Sequence, residues 1–385
     1  MRILLGGIPL GCDNIGDEAI IACVVQMLKE SIPGVELTVA TADPATAGRL
    51  GVSVAPLYGF MPEYPIHNSS LVALFSRYDA YVWCGATGLS DYPHVGLGLL
   101  EIAQEASVPT FVWGVGMDDE LNPVYFKARG KRRALLRLFG LVGWYERRLR
   151  ARLKRRIAQT LPRCKGVWVR DQQSAEVLAS MGFPYADVAA DSAILLQLPQ
   201  ALSATKHQAL GTKHQAPTLG LCISTQRQVA DLEGVCRLIA AVRAAGARVL
   251  GIPMNPKTDR ALLERLGVAC IPGTTPEAVA EAAANCDVVL SSRLHLLIIA
   301  SNVGTPILGI ARGSKLANWL SNFGRTVEGG VYDCDWRLVT DHVLAAFGDR
   351  GDWEAVRAAA YKRLMARFEK ARGEFVRALG DCHAR

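Results

Sequence analysis

Short runs of consecutive apolar residues alternate with amphipathic stretches along almost the whole chain. In the first half the apolar runs are RILLGG (2–7), ELTVA (36–40), VSVAPL (52–57), AYVWCG (80–85), PTFVWGVG (109–116) and GVWVR (166–170). They lack the strict alternation of a half-solvated strand, so they predict strands buried on both faces. Helical patterns fall between most of them, such as DEAIIACVVQMLKESI (17–32) and DQQSAEVLASMG (171–182). The second half restarts the series with TLGLCIS (218–224), a helix over 229–245, ARVLGIPM (247–254), a helix over 257–266, CDVVLSS (286–292), a helix from 293 and TPILGIA (305–311). Strand and helix in this alternation predict an α/β protein of two doubly wound, Rossmann-like domains in tandem.

The expected divisions are a first domain over 1–200, a linker over 201–217, a second domain over 218–345, and a C-terminal helix over 346–385 that crosses back onto the first domain. Within SATKHQALGTKHQAPT (203–218) the stretch TKHQA occurs twice, and a polar duplication of this kind has no packing logic. His207 and His214 belong to that repeat, with no acid or Cys beside them, and are read as linker residues rather than metal ligands.

Composition changes this picture little. A chain of 385 residues has core enough for two domains, and 50% apolar residues with 36 Gly fit a soluble α/β protein. The ten Cys are scattered, with no CxxC or zinc-like spacing, and are expected as reduced, mostly buried thiols in the cytoplasm. The opening MRILLGGIPLGC has one basic residue and is broken by Gly7 and Pro9, so a first strand explains it better than an export signal. No run reaches the length of a membrane span.

Charge changes it more. Of 43 Lys and Arg, fourteen fall between Arg129 and Lys165 against the single acid Glu146, a local balance of +13 that leaves the rest of the chain at −6. Leu135, Leu138, Phe139, Trp144 and Leu149 interrupt the charges, a mixture suited to an anionic membrane surface. No nucleic-acid recognition motif accompanies it, and nucleic acid is not an expected partner.

Open parallel sheets bind ligands beyond the carboxyl ends of their strands. Three strand ends carry candidate chemistry. GGIPLGCDNIGDEAI comes directly after the first strand, but its glycines do not form GxGxxG. Either Asp13 or Asn14 shapes the turn while Asp17 and Glu18 favour the helix start, or Asp17 is a carboxylate facing a ligand. SSRLHLLIIA places Arg293 and His295 at the end of an apolar strand, on the first turn of an otherwise apolar helix. Of seven His, only His67, His94 and His295 are placed to line a ligand site. In VWVRDQQ, Arg170 ends a strand and Asp171 is set to cap the next helix; the Arg either pairs with that Asp or grips a carboxylate or phosphate.

Taken in order, NIGDEAI (14–20), VRDQQSAEVLASMG (169–182), SSRLHLLIIASNVGTPILGI (291–310) and SKLANWLSNFG (314–324) resemble the signatures of the polysaccharide pyruvyl transferase family. YDAYVWCGATGLSDY (78–92) and PTFVWGVGMDD (109–119) resemble its segments in degraded form, so the likeness runs from residue 1 to about 325. It implies a fold like that of GT-B glycosyltransferases, with two domains facing across a cleft. It implies phosphoenolpyruvate as donor, with no other cofactor or metal, and a sugar acceptor, often lipid-linked, whose hydroxyls close a pyruvate ketal. Carried onto this chain, Arg170, Arg293 and the helix start at Leu294 bind the donor, His295 is the general acid and Asp17 takes the acceptor's proton. Asn14, Gly16, Glu18 and Asp91 stand on the acceptor side. CGATG (84–88), where the family has a run of Gly, and GMDD (116–119), where Gly-Pro is common, put acceptor identity in question. The alternatives are a glycosyltransferase using a nucleotide-diphosphate sugar, with Asp259 or Glu277 on the ribose, and a non-catalytic sugar- or anion-binding protein.

Overall fold

The computed structural model of the chain describes all residues except 9, 12, 42–43, 56–68, 197–215, 226–228, 349 and 384–385. The TKHQA duplication apart from Ala216, together with His67 and Cys12, lies outside the described residues. By their internal contacts the residues form two units, one of Met1–Gly11, Ile20–Asp191 and Ala366–Arg385, the other of Cys12–Ala19 and Ser192–Met365.

The first unit holds a parallel sheet of seven strands: β1 (Arg2–Gly6), β2 (Glu36–Ala40), β3 (Ser53–Ala55), β4 (Ala80–Cys84), β5 (Thr110–Val115), β6 (Gly166–Val169) and β7 (Asp187–Val188), in the order β3-β2-β1-β4-β5-β6-β7. β4 and β5 are buried at every position, as their unbroken apolar sequence demands. The order reverses between β1 and β4, so the loops leaving these two strands flank the switch point at which such sheets bind ligands. The end of the helix Arg350–His383 closes one face: Phe375 stacks on Trp113 at 4.7 Å and meets Trp168 and Phe111 edge-on.

The second unit repeats the plan with β8 (Thr218–Cys222), β9 (Arg248–Gly251), β10 (Val288–Ser291), β11 (Ile307–Ala311) and β12 (Gly329–Gly330), all parallel and ordered β12-β11-β10-β8-β9. A one-residue bridge between Gly251 and Cys270 takes the place of a further strand beyond β9. Its core gathers Leu219, Leu221, Val288 and Leu290 from the central strands with Val339, Val343 and Trp336 from the helix Trp336–Ala346.

The strand runs and helices expected from the pattern appear within one to four residues of their expected limits. The short β7 and β12 and the Cys270 bridge have no counterpart in the sequence pattern, because two residues leave no periodicity to detect. None of the nine described Cys is in a disulfide; four are buried and Cys236 is exposed. Among the described residues no helix is long and apolar enough to cross a membrane.

Candidate functional site

The sequence pattern assigns the loop that leaves β1 to the domain opposite the donor residues. Its segment Cys12–Ala19 instead groups with the second unit. Two contacts explain this: the Ile15 N–H donates to the Met254 carbonyl at 3.0 Å, and Lys257 pairs with Asp13 at 2.6 Å. Asp13 adopts a left-handed backbone (φ 53°), a conformation that short polar residues tolerate. Asn14 caps the helix Ile15–Ser31 by accepting from the Gly16 N–H at 3.2 Å, while its amide donates to the Asp17 carboxylate at 2.7 Å. Asp17 is buried, and Glu18 beside it is half-exposed. Asn14 therefore shapes the turn, and Asp17 is a buried carboxylate fixed by that turn.

Gly16 is the close contact. A Cβ added there would lie 2.2 Å from Nδ1 of His295 and 2.5 Å from its Cγ, so the imidazole rests directly on the Gly16 backbone. His295 is the second residue of the helix Leu294–Asn302, which starts where β10 ends, with Arg293 as its N-cap. Ser291 fixes the corner, accepting from the Arg293 N–H at 2.8 Å and donating to the Arg293 carbonyl at 3.0 Å.

Arg293 is held by a residue that sequence assigns elsewhere. Its Nε and Nη2 donate to both oxygens of Asp259, at 3.0 and 2.9 Å, and Asp259 is fully buried while Arg293 keeps 12% of its exposure. The same carboxylate accepts from the backbone N–H of Asn255 and Thr225. Asp259, at the start of the helix Thr258–Arg265, is thus saturated by these donors and unavailable to a ribose; Glu277 is exposed on a separate helix. Burial opposes the charge on Arg293, but the hydrogen bonds and charge of Asp259, with the further charge of Asp17, more than offset it and raise its pKa. Nη1 of Arg293 makes no hydrogen bond among the described residues.

A second cation emerges that sequence reading misses. Arg312 comes directly after β11, the neighbour of β10, and its Nη1 donates to Ser224 Oγ at 3.0 Å; Ser224 N–H in turn donates to Ser292 Oγ at 2.9 Å. Burial and the Asp259 charge push the Cys222 thiol up, and the charges of Arg293 and Arg312 offset part of that rise. The signal is present in the sequence: ILGIARGSK ends a strand in Arg before the helix Ser314–Ser321, the same arrangement that singles out Arg293.

Asn14, Gly16, Asp17, Glu18, Arg293, Leu294 and His295 therefore belong to the second unit, and Arg170 and Asp91 to the first. Arg170 is buried, not on the surface, and donates through Nε to Asp171 at 2.9 Å. Asp171 also caps the helix Gln172–Ser180 through the Ser174 N–H. The charges of Asp118 and Asp191 act on Arg170 along with that of Asp171, and its raised pKa reflects their sum overcoming the cost of burial. Gly116, in GVGMDD, lies directly against the guanidinium, since a Cβ there would be 2.5 Å from the Arg170 Cζ. Asp91 ends the short helix Gly88–Asp91, where its carbonyl accepts from the Asn122 side chain. Among the described residues no three His, Cys, Asp or Glu side chains gather as a metal site would require.

Comparison with solved structures places this architecture in a known fold class. UDP-GlcNAc 2-epimerase from Neisseria meningitidis, bound to UDP-GlcNAc, superposes with a TM-score of 0.58 at 12% identity, covering 99% of this chain and 100% of that one. Anabaena HepE, in complex with UDP and glucose, gives 0.57 at 15% identity with 99% of each chain covered. A UGT transferase from Siraitia grosvenorii in complex with UDP gives 0.58 at 12% identity, covering 98% of this chain and 100% of that one. At such identities the likeness shows the fold, the GT-B class of glycosyltransferases and epimerases. No curated protein matches the chain. The family model described as polysaccharide pyruvyl transferase matches residues 14–314, a span that opens at Asn14 of the capping turn and takes in the Arg293–His295 corner and Arg312. With most of its length inside that match, the chain belongs to the polysaccharide pyruvyl transferase family.

Proposed function

We propose that the second unit binds phosphoenolpyruvate and uses it to build a pyruvate ketal on a sugar, with His295 as the proton donor. The observation that carries this reading is the imidazole of His295 resting on Gly16, in the turn that also fixes Asp17, one residue away from the Arg293–Leu294 helix start. Donor carboxylate and phosphate require more than one cation, and Arg293 and Arg312 stand at the ends of adjacent strands. N–H groups at the start of the helix Leu294–Asn302 add a partial positive charge. Asp259 leaves Arg293 pre-oriented, so little ordering is left for the ligand to impose. Arg170 is buried in the first unit, paired with Asp171 and packed on Gly116, and we assign it to holding those two segments.

In the reaction His295 protonates the methylene carbon, which becomes the methyl group of the product, and the adjacent carbon becomes electrophilic. One sugar hydroxyl bonds to that carbon while its proton passes to Asp17. The carbon–oxygen bond to phosphate then breaks and inorganic phosphate leaves with the proton held on Asp17; a second hydroxyl bonds to the same carbon, closing the ketal and returning its proton to His295. A lipid-linked acceptor fits the basic segment in the first unit.

The test is calorimetric titration of phosphoenolpyruvate, UDP-glucose and GDP-mannose into the wild type, Arg293→Lys and His295→Gln. Phosphoenolpyruvate alone is expected to bind. Losing the guanidinium fork weakens it by about tenfold or more, on the scale of one charge-assisted hydrogen bond. His295→Gln retains the donor while turnover falls by about 10²–10⁴-fold, the usual size of a general-acid contribution. Binding of a nucleotide sugar without phosphoenolpyruvate would replace this chemistry with glycosyl transfer or epimerisation on the same fold.

A further inference from the structure

The basic segment folds as two helices, Gly130–Leu138 and Val142–Thr160, joined through Phe139, Gly140 and Leu141. The hairpin is anchored mainly through the later turns of the second helix. Leu153 and Ile157 enter the first unit's core, and Arg156 grips Glu101 through two hydrogen bonds of 2.7 and 2.6 Å. Toward the hairpin's tip the burial stops. No residue of Gly130–Leu138 is buried, and Leu138 and Phe139 are 81% and 68% exposed. Leu135, Leu141 and Trp144 continue the exposed apolar ridge. Eleven large hydrophobic residues are exposed among the described residues, and these five fall within ten positions of one another.

The ridge is ringed by charge. Residues 130–160 carry eleven Lys or Arg against the single acid Glu146, a balance of +10. Glu146 is engaged in accepting from the Ala128 N–H, and Arg156 by Glu101, so the cations nearest the tip are not neutralised within the hairpin. Arg132 and Arg148 lie over the rings of Tyr145 and Trp144, at 5.7 and 5.4 Å, which keeps their charges beside the apolar ridge.

We propose that this hairpin docks the protein on an anionic lipid surface, its Leu138–Phe139 tip entering the acyl boundary and its Arg and Lys side chains meeting the headgroup phosphates. Charge selects the occupant. A second copy of the chain would bring +10 against +10, and a nucleic acid would match the charge but leave the Leu and Phe ridge in water. An anionic bilayer satisfies both parts at once. The inference stands apart from the proposed reaction, since it uses no residue of the second unit.

The experiment is sedimentation of the full chain with vesicles of phosphatidylcholine alone, or of phosphatidylcholine and phosphatidylglycerol in equal parts. The wild type is expected to bind the anionic vesicles at low salt, to bind neutral ones weakly, and to be released at about 1 M salt, where the screening length falls to about 3 Å. Each Lys or Arg near the surface is worth about fivefold in partition, so Arg132→Glu with Arg133→Glu and Arg137→Glu lowers binding more than a hundredfold. Leu138→Ser with Phe139→Ser lowers it at least tenfold, and both variants keep the wild-type melting curve because every changed side chain is exposed. Vesicle binding also shifts tryptophan emission to the blue, and Trp144→Phe removes most of that shift. No binding to the anionic vesicles at low salt overturns the proposal. So does equal binding to neutral vesicles, undiminished binding by the Ser pair, or a duplex DNA probe that displaces the vesicles and is held equally by that pair.

Discussion

Replacing Asp259 by Asn changes no volume, yet it should unsettle the second unit more than any exposed substitution. One oxygen of Asp259 accepts from Arg293 Nε and the Asn255 N–H, the other from Arg293 Nη2 and the Thr225 N–H. In either amide orientation the new NH₂ faces one guanidinium N–H and one backbone N–H, so two donor pairs confront each other and Arg293 loses its counter-charge. Removing one partner of a buried ion pair costs about 3–5 kcal/mol. For a domain of this size each kcal/mol moves the melting temperature by about 2–4 °C, which gives a fall of about 6–20 °C. Differential scanning calorimetry of the wild type and Asp259→Asn measures it, with phosphoenolpyruvate titration alongside to report the released Arg293. The compensated pair Asp259→Leu with Arg293→Met should recover much of the stability and none of the donor affinity, because apolar replacement of a whole buried pair is often neutral or better. A melting temperature for Asp259→Asn within about 2 °C of the wild type would refute the argument that the buried Asp259 carboxylate is held by four donors at once.

Contacts in each unit set two further outcomes. In Gly16→Ala the new methyl must push the His295 ring aside, and a misplacement of about 1 Å costs on the order of 10²-fold in rate; single-turnover assays should show that loss with donor binding retained. In the first unit, burial and then the nearby Arg156 charge lower the His94 pKa below its ordinary 6.5, and its Nε2 is buried without a hydrogen bond among the described residues. The unfolded chain therefore takes up that proton more readily, so the His94 contribution to stability is complete above about pH 6.5 and shrinks as pH falls below it. Thermal melts from pH 7.5 to pH 5.5 should show the first unit's transition falling, and His94→Gln should flatten that dependence.

Strand-end logic carries a reading of this chain a long way. Unbroken apolar runs such as VVLS and ILGIA can only be buried strands, and in a parallel sheet the residues just past their carboxyl ends face the ligand side; hence Arg293 and His295 are legible as a pair. Arg312 satisfies the same rule, but the run before it reads first as core and hides it. Asp259 is legible as an acid near the site but not in its role, since an Asp in the first turn of TDRALLER looks like a helix-dipole residue until the fold brings Arg293 to it. Gly16 needs the structure for the same reason. Its contact with His295 joins residues far apart in sequence, and no local pattern reports which ring a glycine will touch.

The segment Cys12–Ala19 has a consequence for anyone recombining halves of such enzymes. A break at the linker looks natural, yet a fragment beginning at residue 216 would carry Arg293, Arg312 and His295 without the capped turn on which the imidazole rests. Chimeras exchanging second units between family members must therefore transplant two pieces of chain, the short one from near the amino terminus included. A mismatch at position 16 alone would yield a folded protein with the His295 imidazole out of place.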